Sequence, residues 1–103
     1  IYLSGQVGVD EQGDAPDSLV AQTTLAYEHV KAVLAEFGAT LHNVVEETVF
    51  VTDMAQTMAQ VQEVFAARAA AYGGRPDVTQ TLVAVSALVD PAFKIEIKCT
   101  AHL

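Results

Sequence analysis

Apolar and polar positions along the chain follow two different periods, which predict where helices and strands lie. Apolar side chains at helical spacing predict a first helix from residue 17 or 18 to a C-terminal cap at Gly38. A second helix is expected between Asp53, a suitable N-cap residue, and the stop at Gly73. Alternating or β-branched stretches predict strands at 1–9, 43–52, 78–89 and 94–102. The predicted order is therefore strand, helix, strand, helix, strand, strand.

The predicted strand at 78–89 carries apolar side chains on both faces after a polar start. A sheet that is covered on one side only should alternate apolar and polar residues. Two amphipathic helices can share one sheet face, which leaves Phe50, Leu82 or their neighbours uncovered on the other. Large exposed apolar patches usually mark an interface. We therefore expect an α+β domain that forms a homo-oligomer through the back of its sheet.

Length and composition restrict the possible classes of protein. No repeat, linker or low-complexity tract divides the 103 residues, so one domain over 1–103 is expected, with a further segment before Ile1. No apolar run approaches the about 18 residues that span a bilayer, so no membrane partner is expected. The single cysteine, Cys99, cannot form an internal disulfide, which favours a cytoplasmic location.

The charge balance bears on the partner. Thirteen acidic residues against five Lys and Arg give a net charge of −8. Because nucleic-acid binding draws much of its affinity from cations on phosphates, a nucleic-acid partner is disfavoured. A small-molecule ligand, or further copies of the same chain, fits this composition better.

Two pairs of reactive side chains are placed so that they cannot act together. Glu46 and Glu47 are neighbours in a strand and point to opposite faces, so they cannot form a carboxylate dyad. Cys99 and His102 are separated by an odd spacing, which again divides them between faces. No zinc spacing and no dinucleotide fingerprint is present. We therefore expect neither a metal site nor a cofactor.

The first helix offers a polar face that we expect to be solvated. His29 falls on this face together with Gln22 and Glu36. No chemical role is expected for His29.

Glu96 remains a candidate for a chemical role. It stands between Ile95 and Ile97 on the sheet face away from the helices, which is the expected interface face. One interpretation is a carboxylate solvated at the rim of the interface, and the other is a carboxylate in a cleft between subunits. The second position would suit proton transfer.

Four stretches, taken in order, resemble the RidA/YjgF family, also called the liver perchloric-acid-soluble protein family. They are "IYLSGQVGVD", "NVVEETVFVTDM", "QTLVAVSAL" and "FKIEIKCTAH", and the match runs over essentially the whole chain. The resemblance implies a chorismate-mutase-like α+β fold, with a mixed sheet and two helices on one face. It also implies a homotrimer with ligand clefts between subunits, and hydrolysis of reactive 2-enamines and 2-imines to 2-keto acids and ammonia.

The resemblance also implies roles for particular residues. Glu96 corresponds to the glutamate that positions or activates water, and Ser4 and Gly5 correspond to the pair that binds the ligand by hydrogen bonds. The family arginine that binds the substrate carboxylate falls on Gln80, and Thr81 beside it is expected to line the same cleft. Glutamine offers an amide without charge. The substrate is therefore expected to lack a free carboxylate, unless Arg75 replaces the missing cation.

Two functions remain open at the level of sequence. The first is a divergent imine or enamine hydrolase of the deaminase type, and the alternative is a non-catalytic trimeric module that binds a metabolite or a protein. The endoribonuclease role of some family members would need phosphate contacts, which the net charge disfavours.

Overall fold

The computed structural model describes residues 1–103, and its elements follow the predicted order with two additions. The helices are α1 (Leu19–Ala35), α2 (Met54–Ala59) and α3 (Val61–Tyr72), and a 3₁₀ turn (Leu41–Asn43) precedes the second strand. The strands are β1 (Gln6–Val7), β2 (Val44–Val51), β3 (Thr79–Ala84) and β4 (Ile95–Ala101). None of the three helices is both long enough and apolar enough to cross a membrane.

The helices begin and end where local chemistry directs them. The Ser18 side chain accepts a hydrogen bond from the Ala21 amide at the start of α1. Asp53 caps α2 in the same way, which confirms its predicted role. Gly38 follows α1 with φ +70° and Gly73 ends α3 with φ +78°, a left-handed conformation that glycine adopts without strain. The predicted helix limits are therefore close to the observed ones.

The second predicted helix is in fact two helices. The chain leaves helical geometry at Gln60, where φ is −115° and ψ is 21°. The apolar spacing on both sides of this residue is helical, so the pattern alone predicted one continuous helix. The break at Gln60 therefore divides the predicted helix into α2 and α3.

The sheet is mixed and has the strand order β1-β4-β2-β3. β2 and β3 are parallel, whereas β4 pairs antiparallel with both β1 and β2. The α1 and α3 helices pack on one face, where Val49, Val51, Ile95 and Ile97 are all buried. The expected fold class, a mixed sheet with two main helices on one face, is confirmed.

Strand register corrects one expectation about the faces. Leu82 pairs with the buried Val49 and lies on the helix-covered face, so the expectation that it is uncovered was wrong. Phe50 lies on the other face, as expected, in one row with Glu96 and Val83. The error arose because a strand that is apolar on both faces does not reveal which face meets the helices.

The first strand is much shorter than the predicted 1–9. Only Gln6–Val7 forms a regular strand, and Tyr2 makes an isolated bridge to Thr100. Gly8 then lies directly against the backbone of Gln22 in α1, so the chain runs beside the helix there. This close approach requires the absence of a side chain at Gly8.

Gln22 is fully buried, so the expectation of a solvated position was wrong. Its amide nitrogen donates to the carbonyl oxygens of Pro16 at 2.7 Å and Ala92 at 2.9 Å, and its amide oxygen accepts from the Lys94 amide at 2.8 Å. His29 is half-buried and donates from Nε2 to the Val9 carbonyl at 2.8 Å. Segments distant in sequence therefore cover a helix face that is polar by composition.

Cys99 is expected to be unreactive in the folded protein. It is 1% exposed. Burial, and then the charges of Glu47 and Glu46, raise the pKa of the thiol from 9.0 to about 12. At pH 8 this shift lowers the thiolate fraction about a thousand-fold. A disulfide reagent at pH 8 should label Cys99 only after unfolding in guanidinium, and rapid labelling of the native protein would contradict the buried position.

Candidate functional site

The open face of the sheet brings Glu96 and Gly5 together. β1 pairs antiparallel with β4, and Val7 stands opposite Glu96. The segment before β1 therefore passes over the Glu96 side chain. A Cβ atom added to Gly5 would overlap the Glu96 carboxylate, so only glycine leaves room for the carboxylate in its present place. The structure thus joins two of the residues that the family resemblance singled out.

The Glu96 carboxylate is half-buried, and no hydrogen bond within the chain uses it. The neighbouring Ser4 is exposed, and its carbonyl accepts from the Gln6 amide side chain at 3.0 Å. The Glu96 carboxylate therefore keeps hydrogen-bonding capacity for a water molecule or a ligand. This arrangement suits the acceptance and return of a proton.

Thr81 lies on the same face as Glu96 but at a distance. It pairs with Thr48 of β2, whereas Glu96 pairs with Phe50 two residues further along. Two strand spacings, about 10 Å, separate β3 from β4 across the sheet. Within one chain, Thr81 and Glu96 therefore do not contact the same small molecule.

Gln80 points to the opposite, helix-covered side of the sheet. It pairs with Glu47 of β2, and its amide nitrogen donates to Glu47 Oε1 at 2.9 Å. The structure therefore separates Gln80 from Glu96 by the thickness of the sheet within one chain. Arg75 is exposed in the loop after α3.

Glu47 is the centre of a buried polar cluster that sequence reasoning missed. Its side chain is 0% exposed. Oε1 accepts from Tyr27 Oη at 3.0 Å, from Arg68 Nε at 2.5 Å and from Gln80, and Oε2 accepts from Tyr72 Oη at 2.8 Å. Four donors from α1, α3 and β3 thus converge on one carboxylate of β2. A buried charge needs such complete pairing.

The charges in this cluster reinforce one another. Burial acts to lower the pKa of Arg68, but the charge and hydrogen bond of Glu47 outweigh burial and the net pKa is raised. Burial, followed by the Glu47 charge, also raises the pKa values of Tyr27 and Tyr72. The tyrosines therefore stay protonated as donors, and Arg68 stays charged. No three His, Cys, Asp or Glu side chains lie close enough together to hold a metal ion.

One sequence signal could have revealed part of this cluster. Val64, Arg68 and Tyr72 are spaced by four residues, which places them on one face of a helix. The neighbouring residues on that face, Val61 and Phe65, are apolar. The inward position of Glu47 was harder to predict from the sequence, because the pairing of β2 with β4 shifts register between Val44 and Glu46. Such a bulge changes which side chains face inward.

The whole chain, residues 1–103, matches the family model described as Endoribonuclease L-PSP. The RutC family protein YjgH of Escherichia coli K12 is 29% identical over 103 residues, covering 100% of this chain and 75% of the relative. A RutC family protein of Pyrococcus abyssi is 33% identical over 104 residues, covering 99% of this chain and 77% of the relative.

Solved structures show the same fold. YyfB of Yersinia pestis, a Rid family protein of unknown function, superimposes with a TM-score of 0.89 and 30% identity, covering 100% of this chain and 77% of that one. Escherichia coli TdcF with bound serine has a TM-score of 0.82 and 30% identity, covering 97% and 77%. By name, TdcF is a candidate reactive intermediate deaminase. The chain therefore belongs to the Endoribonuclease L-PSP family, which includes the RutC, YjgF and Rid proteins.

Proposed function

We propose that this protein is an imine or enamine hydrolase of the deaminase type that acts on a small reactive metabolite. The observation that carries the proposal is the Glu96 carboxylate, which lies against Gly5 without a hydrogen-bond partner in its own chain. The similarity to TdcF, a candidate reactive intermediate deaminase solved with bound serine, supports the same class of chemistry.

The reaction needs one group that moves protons. An enamine first becomes an imine by gaining a proton at carbon and losing one from nitrogen. Glu96 then accepts a proton from water as the water oxygen adds to the imine carbon, and it returns that proton to the nitrogen, which gives a carbinolamine. Glu96 next transfers the proton of the new hydroxyl group to the nitrogen as the carbon–nitrogen bond breaks, and a carbonyl compound and ammonia leave. A single carboxylate that alternates between base and acid is sufficient for these steps.

The active form in this proposal is a homotrimer. In one chain Glu96 lies on an open sheet face beside Phe50 and Val83, which offers no enclosed site. A second copy on this face would cover the apolar side chains and form a cleft over Glu96. Ser4 and Thr81, on separate parts of the chain, would then contact ligand in different clefts.

Glu96→Gln is expected to lower ammonia release about a hundred-fold or more, since general acid–base catalysis typically contributes that much. The substrates to test are 2-aminoacrylate and a panel of small imines with and without a carboxylate. Glu46→Gln is the matched control, because it neutralises a carboxylate of the neighbouring strand β2 that is exposed and accepts from Thr48. Absence of ammonia release from every member of the panel would refute the proposal.

A non-catalytic trimeric module that binds a metabolite or a protein is the second candidate. The observation that favours it is the position of Gln80, whose amide is bound to Glu47 rather than free for a substrate. Calorimetry with serine, the ligand of the TdcF structure, distinguishes the two. Serine binding that persists in Glu96→Gln, together with no turnover of any imine, would establish this alternative.

A further inference from the structure

A small cavity of about 10 Å³ adjoins the Glu47 cluster on the helix-covered side of the sheet. Eight of its twelve lining residues are hydrophobic, and the polar ones are Thr23, Thr57, Arg68 and Gln80. This volume accommodates one atom group of the size of a water molecule. Phe65, 41% exposed, also lines the cavity, so the cavity reaches the surface beside that ring.

Arg68, which lines this cavity, has an unused donor. Its Nε donates to Glu47, but its Nη2 is buried and has no hydrogen-bond partner. Buried polar groups in folded proteins are almost always paired, because an unpaired donor loses its hydrogen bonds to water without forming new ones in the protein. An oxygen acceptor placed in the cavity would complete the hydrogen bonding of the guanidinium.

The charge of the cluster selects the kind of acceptor. Glu47 already neutralises Arg68 through a buried ion pair. A ligand carboxylate would add a second negative charge near Glu47 in a mostly apolar environment, where an uncompensated charge is costly. A carbonyl oxygen accepts the same hydrogen bond without bringing a charge.

We propose that this cavity binds the carbonyl oxygen of a small neutral molecule, an amide or ketone, with Arg68 Nη2 as its donor. The apolar part of the ligand lies against Val61 and Phe65 where the cavity reaches the surface. This site is on the opposite side of the sheet from Glu96, so the proposal does not rest on the hydrolase activity.

Isobutyramide and isobutyrate are suitable probes, because they have nearly the same shape and differ in charge. Binding is followed through the NMR signals of the Leu82 methyl groups and the Arg68 side chain, both of which line the cavity. Isobutyramide is expected to bind at least about ten-fold more tightly than isobutyrate at pH 7. No shift with isobutyramide, or a crystal structure from isobutyramide-soaked crystals that shows water alone at Nη2, would overturn the proposal.

Glu47→Gln tests the charge argument directly. The glutamine oxygen can keep the position that accepts from Tyr27, Arg68 and Gln80, while its nitrogen donates to Tyr72 Oη. Arg68 then has no counter-charge, and the preference is expected to reverse in favour of isobutyrate. An unchanged preference for isobutyramide would contradict the selection by charge.

Val61→Phe provides a test that leaves the Glu47 cluster intact, in case Glu47→Gln does not fold. Val61 is half-buried and lines the cavity at the start of α3. The larger ring is expected to fill the opening and to weaken isobutyramide binding at least about ten-fold. Ammonia release, if present, should be unchanged. Isobutyramide binding that survives this substitution would place the ligand elsewhere and refute the assigned site.

Discussion

Glu47→Ala is expected to lower the free energy of unfolding by about 3–5 kcal/mol, because it leaves the largely buried Arg68 guanidinium without its counter-charge. The substitution also removes the acceptor for Tyr27, Tyr72 and Gln80, which then become unpaired donors. A domain of this size has a total stability of about 5–15 kcal/mol. The variant should therefore unfold at a much lower urea concentration, or fail to fold at all.

Glu28→Ala is the matched control for this prediction. It removes the same charge from the other ion pair of the chain, in which Glu28 and Lys31 lie 3.2 Å apart on the exposed face of α1. Exposed pairs contribute about 0–1 kcal/mol. Urea unfolding of both variants at equal protein concentration gives the comparison. Equal loss of stability in the two variants would show that the buried cluster is not an important source of stability.

Gly8→Ala is expected to destabilise the fold by about 3 kcal/mol, at the upper end of the range for overpacking. The added Cβ would overlap the backbone carbonyl and Cα of Gln22. That segment of α1 cannot yield easily, because the Gln22 side chain is bonded to Pro16, Ala92 and Lys94. Thermal unfolding followed by circular dichroism measures the effect.

Gly5 is the second glycine that lies directly against another group, the Glu96 side chain. Gly5→Ala is expected to impair activity with little loss of stability. There the added Cβ meets the flexible end of Glu96 rather than backbone, so the side chain can move aside. The expected loss of stability is below about 1 kcal/mol. Ammonia release should nevertheless fall about a hundred-fold, because the carboxylate no longer lies in its active position. A Gly5→Ala protein with full activity would indicate that the contact between Gly5 and Glu96 has no catalytic importance.

Much of the fold could be predicted because the responsible interactions are local. Ser18, Asp53, Gly38 and Gly73 mark helix ends through hydrogen bonds and dihedral angles that depend on near neighbours in sequence. The alternation in β4 likewise indicated which residues share a face, and it placed Glu96 away from the helices. Family membership also followed from stretches of sequence that remain recognisable without a structure.

The pairing between distant segments was not predictable in the same way. Leu82 and Gln22 were expected on the wrong faces, since a polar or apolar residue type does not reveal which segment will cover it. The bulge near Val44 and the parallel pairing of β2 with β3 decide that Gln80 meets Glu47. Both depend on contacts between residues far apart in the chain.

The amino-acid sequence by itself determined the order of the main elements, the outer ends of the two predicted helices and the family, and it named Gly5 and Glu96 among the candidate site residues. Only the tertiary structure decided that Gln80 belongs to a buried cluster with Glu47 and Arg68, on the far side of the sheet from Glu96. The physical reason is desolvation. A carboxylate and a guanidinium lose their water only when packing brings them together, and that packing is a property of the folded chain.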